Sequence, residues 1–334
     1  MVETSRGRSW TASVVALVLT AVVAAPPLVS AQSPPAGEVQ AQAQAPATPP
    51  AAPTETQTQG PAAVAAVGEE KGPNTGRISV LLGVDWASAY YFRGIVNTQN
   101  GGDNVQPYGE VGFRLLENLG PLTSLTFAPG IWSNFHWGGG LVVEPSDPRF
   151  WYEADLYLKL TATLWEIFTT SVTYTYYVSP NDSFRSYSDV GLAFALNDSK
   201  WFGGFAFNPS ILFAFETSGE ALTADGKKGI YMGLGLAPSY TFFDGSKFPL
   251  TVSAPMTFGF SLKDYYTVNG NNQTFGYFSG GPLLTLGLKV IPPAWGSWAL
   301  RGGVQFLVLN SNLKAVNGGD NFVPIGSVGL SVTY

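Results

Sequence analysis

Residues 150–164 have the sequence FWYEADLYLKLTATL. From position 154 to 164 every even-numbered residue is apolar, and from 153 to 163 every odd-numbered residue is polar or amphipathic. This alternation predicts a β-strand with two unlike faces. Aromatic residues stand at both ends, Phe150, Trp151 and Tyr152 before the strand and Trp165 after it. An apolar face between two aromatic ends is typical of a strand that crosses a bilayer.

The same alternation recurs about every 20 residues along the rest of the chain. It predicts strands at 77–93, 105–115, 122–136, 150–164, 168–178, 187–196, 205–216, 230–242, 250–263, 277–290, 298–309 and 323–334. Short turns alternate with longer connections, and only the long-side connection 179–184 is brief. An even number of strands with this alternation is typical of a bacterial outer-membrane barrel, whose short turns face the periplasm. The predicted fold class is therefore all-β, a transmembrane antiparallel up-and-down barrel of about twelve strands at 76–334; a soluble β-sandwich is the less favoured alternative.

The composition agrees with a barrel and excludes several kinds of site. Only 12% of the residues are charged, against about a quarter in ordinary soluble proteins. The chain has no cysteine, which excludes disulfides and thiolate metal sites. Its single histidine, His136, argues against a zinc centre or histidine-dependent catalysis. A net charge of −6 without runs of lysine or arginine argues against nucleic-acid binding.

Two segments precede the predicted barrel. Residues 1–31 combine two early arginines, an apolar stretch at 12–25 and the small-residue site Val29-Ser30-Ala31, which predicts a signal peptide for export. A membrane-anchoring helix is the alternative, but the apolar stretch is short for a span and ends at two prolines. Residues 32–75 are rich in Ala, Pro, Gln and Thr and predict a disordered leader. The leader is interpreted as passive, or alternatively as a spacer that reaches a partner.

Aromatic residues cluster near both predicted ends of the strands, and they are interpreted as two membrane-interface girdles. The alternative is the general enrichment of aromatics in strands. The long-loop cluster contains Tyr90, Tyr91, Phe92, Phe150, Trp151, Tyr152, Tyr176, Tyr177, Tyr265 and Tyr266. The last strand ends the chain on Tyr334. A terminal alternating strand with a final aromatic resembles the signal by which the barrel-assembly machinery recognises outer-membrane proteins.

A family resemblance covers roughly the first three strands. The stretch WASAYYFRGIVNTQNGGDNVQPYGEVGF, residues 86–113, is followed by WSNFHW at 132–137. It resembles the start of the TorF-type porin family, in which a Tyr-x-Phe-Arg-Gly-Ile pattern ends a strand, a Gln-Pro or Gln-Gly strand follows, and a Trp-x-Ser-Asn-type strand end comes next. The matching residues are Tyr91, Phe92, Arg93, Gly94, Ile95, Gln106, Pro107, Trp132, Ser133 and Asn134. The resemblance implies a porin-like barrel and brings no catalytic or ligand-binding residues.

Alternation assigns twelve charged residues to the interior face of the barrel, where they are predicted to line a pore. The acidic members are Asp85, Glu110, Glu153, Asp155, Asp189 and Glu216, and the basic members are Arg93, Arg114, Lys159, Lys263, Lys289 and Arg301. Six acids against six bases predict weak ion selectivity, since a filter needs a ring of one sign. The charges are interpreted as pairs that satisfy one another across a narrow interior; a constriction for a polar solute is the alternative.

No enzymatic site is predicted, and neither a cofactor nor a metal is expected. A barrel phospholipase needs a serine and an orienting asparagine in a set order around its histidine, and Ser133, Asn134 and His136 do not fit that order. Glu153 and Asp155 are spaced for acid–base work, but the nearby Lys159 favours an ion-pair network. Scattered loop acids do not specify calcium.

The sequence thus predicts a porin-like channel in the Gram-negative outer membrane for passive diffusion of small polar solutes or ions. The alternative is a non-conducting structural or adhesive barrel that binds partners through its loops or leader. The expected partners are outer-membrane lipid, the barrel-assembly machinery and small solutes, with a homo-oligomer left open. Whether a loop folds inward and plugs the lumen is also left open.

Overall fold

Fifteen strand segments join in one antiparallel sheet that closes on itself in the computed structural model. The structure describes residues 77–98, 102–137, 150–219 and 227–334. Three of the barrel strands are each split into two segments, so the closed barrel has twelve strands. The signal peptide and leader predicted for residues 1–31 and 32–75 lie outside the described residues.

The barrel strands are labelled β1 to β12 in chain order. Their bounds are Ile78–Ala87 (β1), Asp103–Leu119 (β2), Leu122–Trp137 (β3), Trp151–Leu164 (β4), Phe168–Val178 (β5), Tyr187–Leu196 (β6), Ser210–Ser218 (β7), Ile230–Leu236 with Ser239–Phe242 (β8), Leu250–Ser253 with Met256–Lys263 (β9), Phe275–Gly280 with Leu283–Gly287 (β10), Ser297–Leu309 (β11) and Phe322–Thr333 (β12). The predicted fold class is confirmed, and β5 and β6 have the predicted bounds.

Closure is made by the first and last strands. β1 pairs with β12 in a register that places Leu82 opposite Val332. The backbone of Tyr334 exchanges two hydrogen bonds with Val80, at 2.7 and 2.8 Å, so the final residue is part of the closed sheet. Because a closed sheet has no edge, all of its backbone groups can be paired away from water, which a bilayer requires.

The alternating segment 150–164 supplies β4, and the two faces of this strand are as unlike as the alternation predicts. Leu156 and Leu158 are 50% and 51% exposed on the outside of the barrel, whereas Glu153 and Asp155 are fully buried inside it. In a membrane barrel the outer face is apolar where it meets the acyl chains, and the interior is polar. The outer face of β4 therefore suits the bilayer and its inner face suits the lumen.

Two ends of the barrel can be told apart by their connections. At the short-turn end, a three-residue turn joins β4 to β5, and its first two residues, Trp165 and Glu166, have φ angles of 52° and 64°. At the long-loop end, helix α1 (Ser311–Val316) lies between β11 and β12. Asn310 caps α1 by accepting a hydrogen bond from the Leu313 amide at 2.8 Å, a contact that stabilises a helix by about 1 kcal/mol.

The largest departure from the predicted strands is at β1. The sequence predicts a strand that continues to Arg93, but β1 ends at Ala87. The chain then forms a second, separate hairpin from Tyr90–Phe92 and Ile95–Thr98. We call residues 90–98 the lumen hairpin, because they lie inside the barrel rather than in its wall.

The girdle interpretation is partly wrong at the long-loop end. Phe150 and Trp151 are exposed on the outside, as a membrane-interface girdle requires. Seven others of that cluster are instead buried, and they are Tyr90, Tyr91, Phe92, Tyr152, Tyr177, Tyr265 and Tyr266. They form a core within the barrel, because the lumen hairpin supplies apolar surface there for them to cover.

Candidate functional site: the lumen hairpin and the cavity beside it

The turn of the lumen hairpin is made by Arg93 and Gly94. Both have positive φ, 45° and 81°, the conformation of a two-residue hairpin turn of type I′. A Cβ at Gly94 would come within 2.8 Å of the Tyr277 ring and 2.9 Å of Leu313. Glycine is therefore required at this position both by the backbone and by the close approach of β10 and α1.

The hairpin contacts the interior of the barrel on several sides. Its partners include Trp132 on β3, Glu153 on β4, Tyr177 on β5, Asp189 on β6 and Tyr231 on β8. Phe92, Ile95, Val96 and Thr98 are each at most 1% exposed. A segment that touches strands from β3 to β8 while hidden from water fills that side of the lumen.

Arg93 is the central anchor of the hairpin. Its Nη1 donates to Asp189 Oδ2 at 2.9 Å, and the two side chains are only 6% and 2% exposed. The guanidinium also lies over the rings of Phe92 and Tyr231, 4.4 and 4.7 Å from their centroids. A buried charge is tolerated only with such partners, and an aromatic face attracts a cation most strongly when water is excluded.

Further hydrogen bonds fix both arms of the hairpin. On the first arm, Tyr90 donates to Glu153 at 2.9 Å and Tyr91 donates to Asn317, just beyond α1, at 2.7 Å. At the turn, the Tyr266 hydroxyl donates to the carbonyl of Arg93 at 2.8 Å. The second arm is held by Tyr152, whose hydroxyl reaches Asn97 at 3.4 Å. The hairpin is thus tied to the wall and to the long-loop end.

Burial changes the acidity of tyrosines at this end that lie outside the barrel strands. It raises the pKa of the Tyr91 hydroxyl from 10.0 to about 12. Burial likewise raises the pKa of Tyr265, which follows the end of β9. Both hydroxyls therefore stay neutral at physiological pH and act as hydrogen-bonding groups.

A cavity remains between the hairpin and the part of the wall formed by β9 to β12, β1 and β2. We call it the lumen cavity. Its polar lining includes Asp85, Gln106, Ser279, Arg301, Gln305 and Ser327, and Tyr91 and Arg93 of the hairpin border it. Arg301 binds Asp85 through two hydrogen bonds of 2.6 and 3.0 Å and donates to the Tyr108 hydroxyl at 2.6 Å. The two charges that the wall contributes to the lumen cavity are therefore already paired.

The structure divides the twelve predicted pore-lining residues into three groups. Arg93, Glu153, Asp155 and Asp189 are buried around the lumen hairpin. Asp85 with Arg301, and Glu110 with Lys159 at 2.5 Å, form ion pairs on the interior face. The remaining four lie toward the ends of the barrel, and they are Arg114, Glu216, Lys263 and Lys289.

The last group shows that alternation assigns a face but not a depth. Arg114 is near the short-turn end, 44% exposed and paired with Glu117 at 3.3 Å. Lys289 follows β10 at the same end and pairs with Asp244 at 3.6 Å. At the long-loop end, the Glu216 carboxylate accepts from the Gly229 amide at 2.5 Å, and Lys263 is exposed. Arg93 differs in another way, since it lies on the hairpin and not on a strand.

Sequence reasoning missed the aromatic and amide side chains that hold the hairpin. They are Tyr90, Tyr91, Asn97, Tyr152, Tyr231, Tyr266 and Asn317. A local signal was present, because Arg-Gly between the apolar runs at 90–92 and 95–96 is a hairpin pattern. His136 is buried at the long-loop end of β3, and its backbone amide donates to the Phe150 carbonyl at 2.9 Å.

Within 77–98, 102–137, 150–219 and 227–334, no helix has both the length and the apolar character needed to span a membrane. Over the same ranges, no three acidic or histidine side chains are grouped as a metal site.

No protein-family model matches the sequence, and the search of curated proteins found no match. Solved structures similar to this chain include the β-domain of the Bordetella autotransporter BrkA, with 9% identity and a TM-score of 0.42, covering 78% of this chain and 99% of that one. The COG4313 outer membrane channel from Pseudomonas putida F1 has 11% identity and a TM-score of 0.41, covering 77% and 94%. The NanC porin has 11% identity and a TM-score of 0.39, covering 76% and 98%.

Proposed function

We propose that this chain forms a narrow channel in the bacterial outer membrane for passive diffusion of small polar solutes or ions. The observation that carries the proposal is the lumen cavity beside the hairpin, whose polar lining includes Gln106, Ser279, Gln305 and Ser327. Hydroxyl and amide groups can replace part of the hydration shell of a passing solute. The route is narrow, since the lumen hairpin fills the side of the lumen facing β3 to β8.

The charges of the lumen favour weak selectivity. Asp85 is paired with Arg301, and Glu110 is paired with Lys159. Paired charges of opposite sign largely cancel at a distance, so they do not filter ions as a ring of one sign does. As the sequence predicts, we propose that the protein is not an enzyme and takes neither a cofactor nor a metal.

The remaining assignments follow from the sequence. We assign the chain to the TorF-type porins on the motif Tyr91-Phe92-Arg93-Gly94-Ile95, which in this structure surrounds the turn of the lumen hairpin. Export would use the segment 1–31 and assembly would use the strand ending at Tyr334. These assignments place the long loops outside the cell and the short turns in the periplasm.

A non-conducting barrel is the second candidate, because the buried hairpin closes much of the mouth. The two are separated by recording purified protein in planar lipid bilayers. We expect a small, reproducible unit conductance. Gln305→Trp, which places a large ring in the lumen cavity, should reduce this conductance severalfold. Val308→Trp is the matched control, because Val308 is on the outer face of the same strand and 38% exposed.

Two outcomes would contradict the channel. A wild-type protein that inserts as a folded barrel but never conducts supports the structural or adhesive alternative. Equal conductance of the wild type and Gln305→Trp would place the ion path away from the lumen cavity. Heat-modifiable gel mobility of each variant shows that the barrel has folded.

A further inference from the structure

Three neighbouring barrel strands are interrupted by proline at one level of the wall. Pro238 splits β8, Pro255 splits β9 and Pro282 splits β10. The pairing on either side of each split keeps a constant register, with Leu236 opposite Met256 above and Ser239 opposite Ser253 below. The three strands therefore run straight through, and the prolines lie in neighbouring pairs of the ladder, with Pro238 opposite Ala254 and Pro255 opposite Gly281. We call this line the proline seam.

Each proline occupies a hydrogen-bonded position of the ladder. The amide of Ala254 donates to Pro238 at 2.9 Å, that of Gly281 donates to Pro255 at 3.3 Å, and that of Val304 donates to Pro282 at 3.1 Å. In such antiparallel pairs both residues normally donate. Proline has no N–H, so the return bond cannot form at any of the three junctions.

This arrangement is costly in a membrane-spanning wall. Proline is normally confined to edge strands, because it removes a ladder bond from a central one. In a bilayer no water replaces the missing bond. The junctions β8–β9, β9–β10 and β10–β11 each lack one ladder bond at about the same level, so separating the wall there breaks fewer hydrogen bonds than a complete ladder would require.

The lumen cavity extends to the proline seam. Where the lumen cavity meets the seam, it is lined by Pro255, Gly281, Pro282, Leu283 and Gly303. Val304, which also borders the cavity, is 39% exposed on the outer face of β11. Glycine and alanine flank the prolines, so little side-chain volume separates the lumen from the outside.

We propose that the proline seam is a lateral portal through which a small apolar or amphipathic molecule passes between the lumen cavity and the bilayer. The seam supplies the separable wall, and the cavity supplies a space with polar groups at Arg301 and Gln305 and apolar groups at Leu283 and Pro282. An amphipathic molecule matches both. This route is distinct from the axial path proposed for polar solutes.

The test uses disulfide staples, which the absence of native cysteine makes clean. Val252→Cys with Leu284→Cys joins β9 to β10 beside the seam, since these residues are directly paired and neither lines the lumen cavity. Leu160→Cys with Val172→Cys is the matched control, a Leu–Val pair joining β4 to β5 away from the seam. Oxidation closes each staple and reductant opens it.

The probe is N-phenyl-1-naphthylamine, an apolar dye that fluoresces when it enters the membrane of intact cells producing the full chain. We expect wild-type cells to take up the dye several times faster than vector cells. The oxidised seam staple should lower entry to the vector rate, reductant should restore it, and the control staple should have no effect. The seam-stapled protein should keep its unit conductance in planar bilayers.

Several results would overturn the portal. Wild-type entry at the vector rate, or unchanged entry with the oxidised seam staple, removes it. Loss of both dye entry and ion conductance on stapling assigns both to one axial path. If the staple prevents folding, Pro282→Val provides the second variant, since it restores a ladder donor; it should slow dye entry and raise the unfolding temperature, and unchanged entry with a folded barrel contradicts the proposal.

Discussion

Arg93 and Asp189 form a buried ion pair across the lumen, 2.9 Å apart although 96 residues separate them in the chain. The pair joins the turn of the lumen hairpin to β6. Both side chains are almost completely hidden from water. Since neither charge can be solvated where it lies, each depends on the other, and the docked position of the hairpin depends on both.

Arg93→Gln should destabilise the docked hairpin strongly, because it leaves Asp189 buried without its cation. Loss of one partner of a buried pair costs about 3–5 kcal/mol. We expect a lower free energy of unfolding in urea and a larger, noisier unit conductance. The double variant Arg93→Gln with Asp189→Asn should be less destabilised than the sum of the two single variants.

An exposed ion pair provides the control for this cycle. Lys200 and Glu166 are 2.6 Å apart, but their side chains are 63% and 66% exposed. Surface pairs contribute little to stability, so Lys200→Gln should change neither unfolding nor conductance. Additive effects of the two Arg93 and Asp189 substitutions would show that the pair does not hold the hairpin.

The charges on the lumen face allow a test of ion selectivity. Lys159 Nζ lies 2.5 Å from Glu110 on the interior face. Lys159→Glu replaces this pair by two negative charges and should shift the reversal potential in a salt gradient toward cation preference. Arg114→Glu makes the same change of charge near the short-turn end, where the side chain is 44% exposed. Water screens the charge there, and we expect a smaller shift.

A result in which Arg114→Glu shifts the reversal potential as much as Lys159→Glu would place the selective region at the short-turn end. Absence of any shift with Lys159→Glu would remove its ion pair from the conduction path. The two variants have the same net charge as each other, so a difference between them reflects only the position of the charge.

The sequence allowed the barrel strands to be predicted but not the lumen hairpin that lies inside them. Alternation is a local property, and it located β5 and β6 to the residue. The inward turn after Ala87 depends on partners such as Asp189 and Asn317, which are distant in the chain. Because Tyr90–Phe92 is itself apolar and aromatic, the sequence pattern predicts it as a continuation of the first strand.

The candidate site was therefore found in part. The acids and bases of the interior were recognised from the face they share, as with Asp85 and Arg301. Their depth within the barrel was not recognised, because every second residue of a strand faces the interior along the whole length of the strand. Arg114 is an example, since it lies near the short-turn end. The three prolines of the seam are present in the sequence, but their alignment across the wall cannot be predicted without the register between the strands. Turns and packing determine this register together.

The turn of the hairpin gives a steric test. Gly94→Ala adds a methyl group that would meet Tyr277 and Leu313 at a position whose φ is 81°. Gly120→Ala is the control, since Gly120 also has positive φ, 59°, but no atom lies within 4 Å of the added carbon. We expect Gly94→Ala to lower the unfolding temperature more and to increase conductance, while Gly120→Ala leaves conductance unchanged. Equal effects would show that backbone strain alone, and not packing of the turn, determines the outcome.

The raised pKa of Tyr91 predicts how the hairpin responds to alkali. Because burial raises this pKa from 10.0 to about 12, docking favours the neutral hydroxyl. The stability gained is complete below pH 10 and is lost as the pH rises through the folded value of about 12. Wild-type protein should therefore loosen its hairpin in this window, seen as tyrosinate absorbance that appears together with a rise in conductance. Tyr91→Phe should lack the tyrosinate that ionises near pH 12 and should show a smaller conductance rise across the window. An equal conductance rise in the two proteins would show that ionisation of Tyr91 does not release the hairpin.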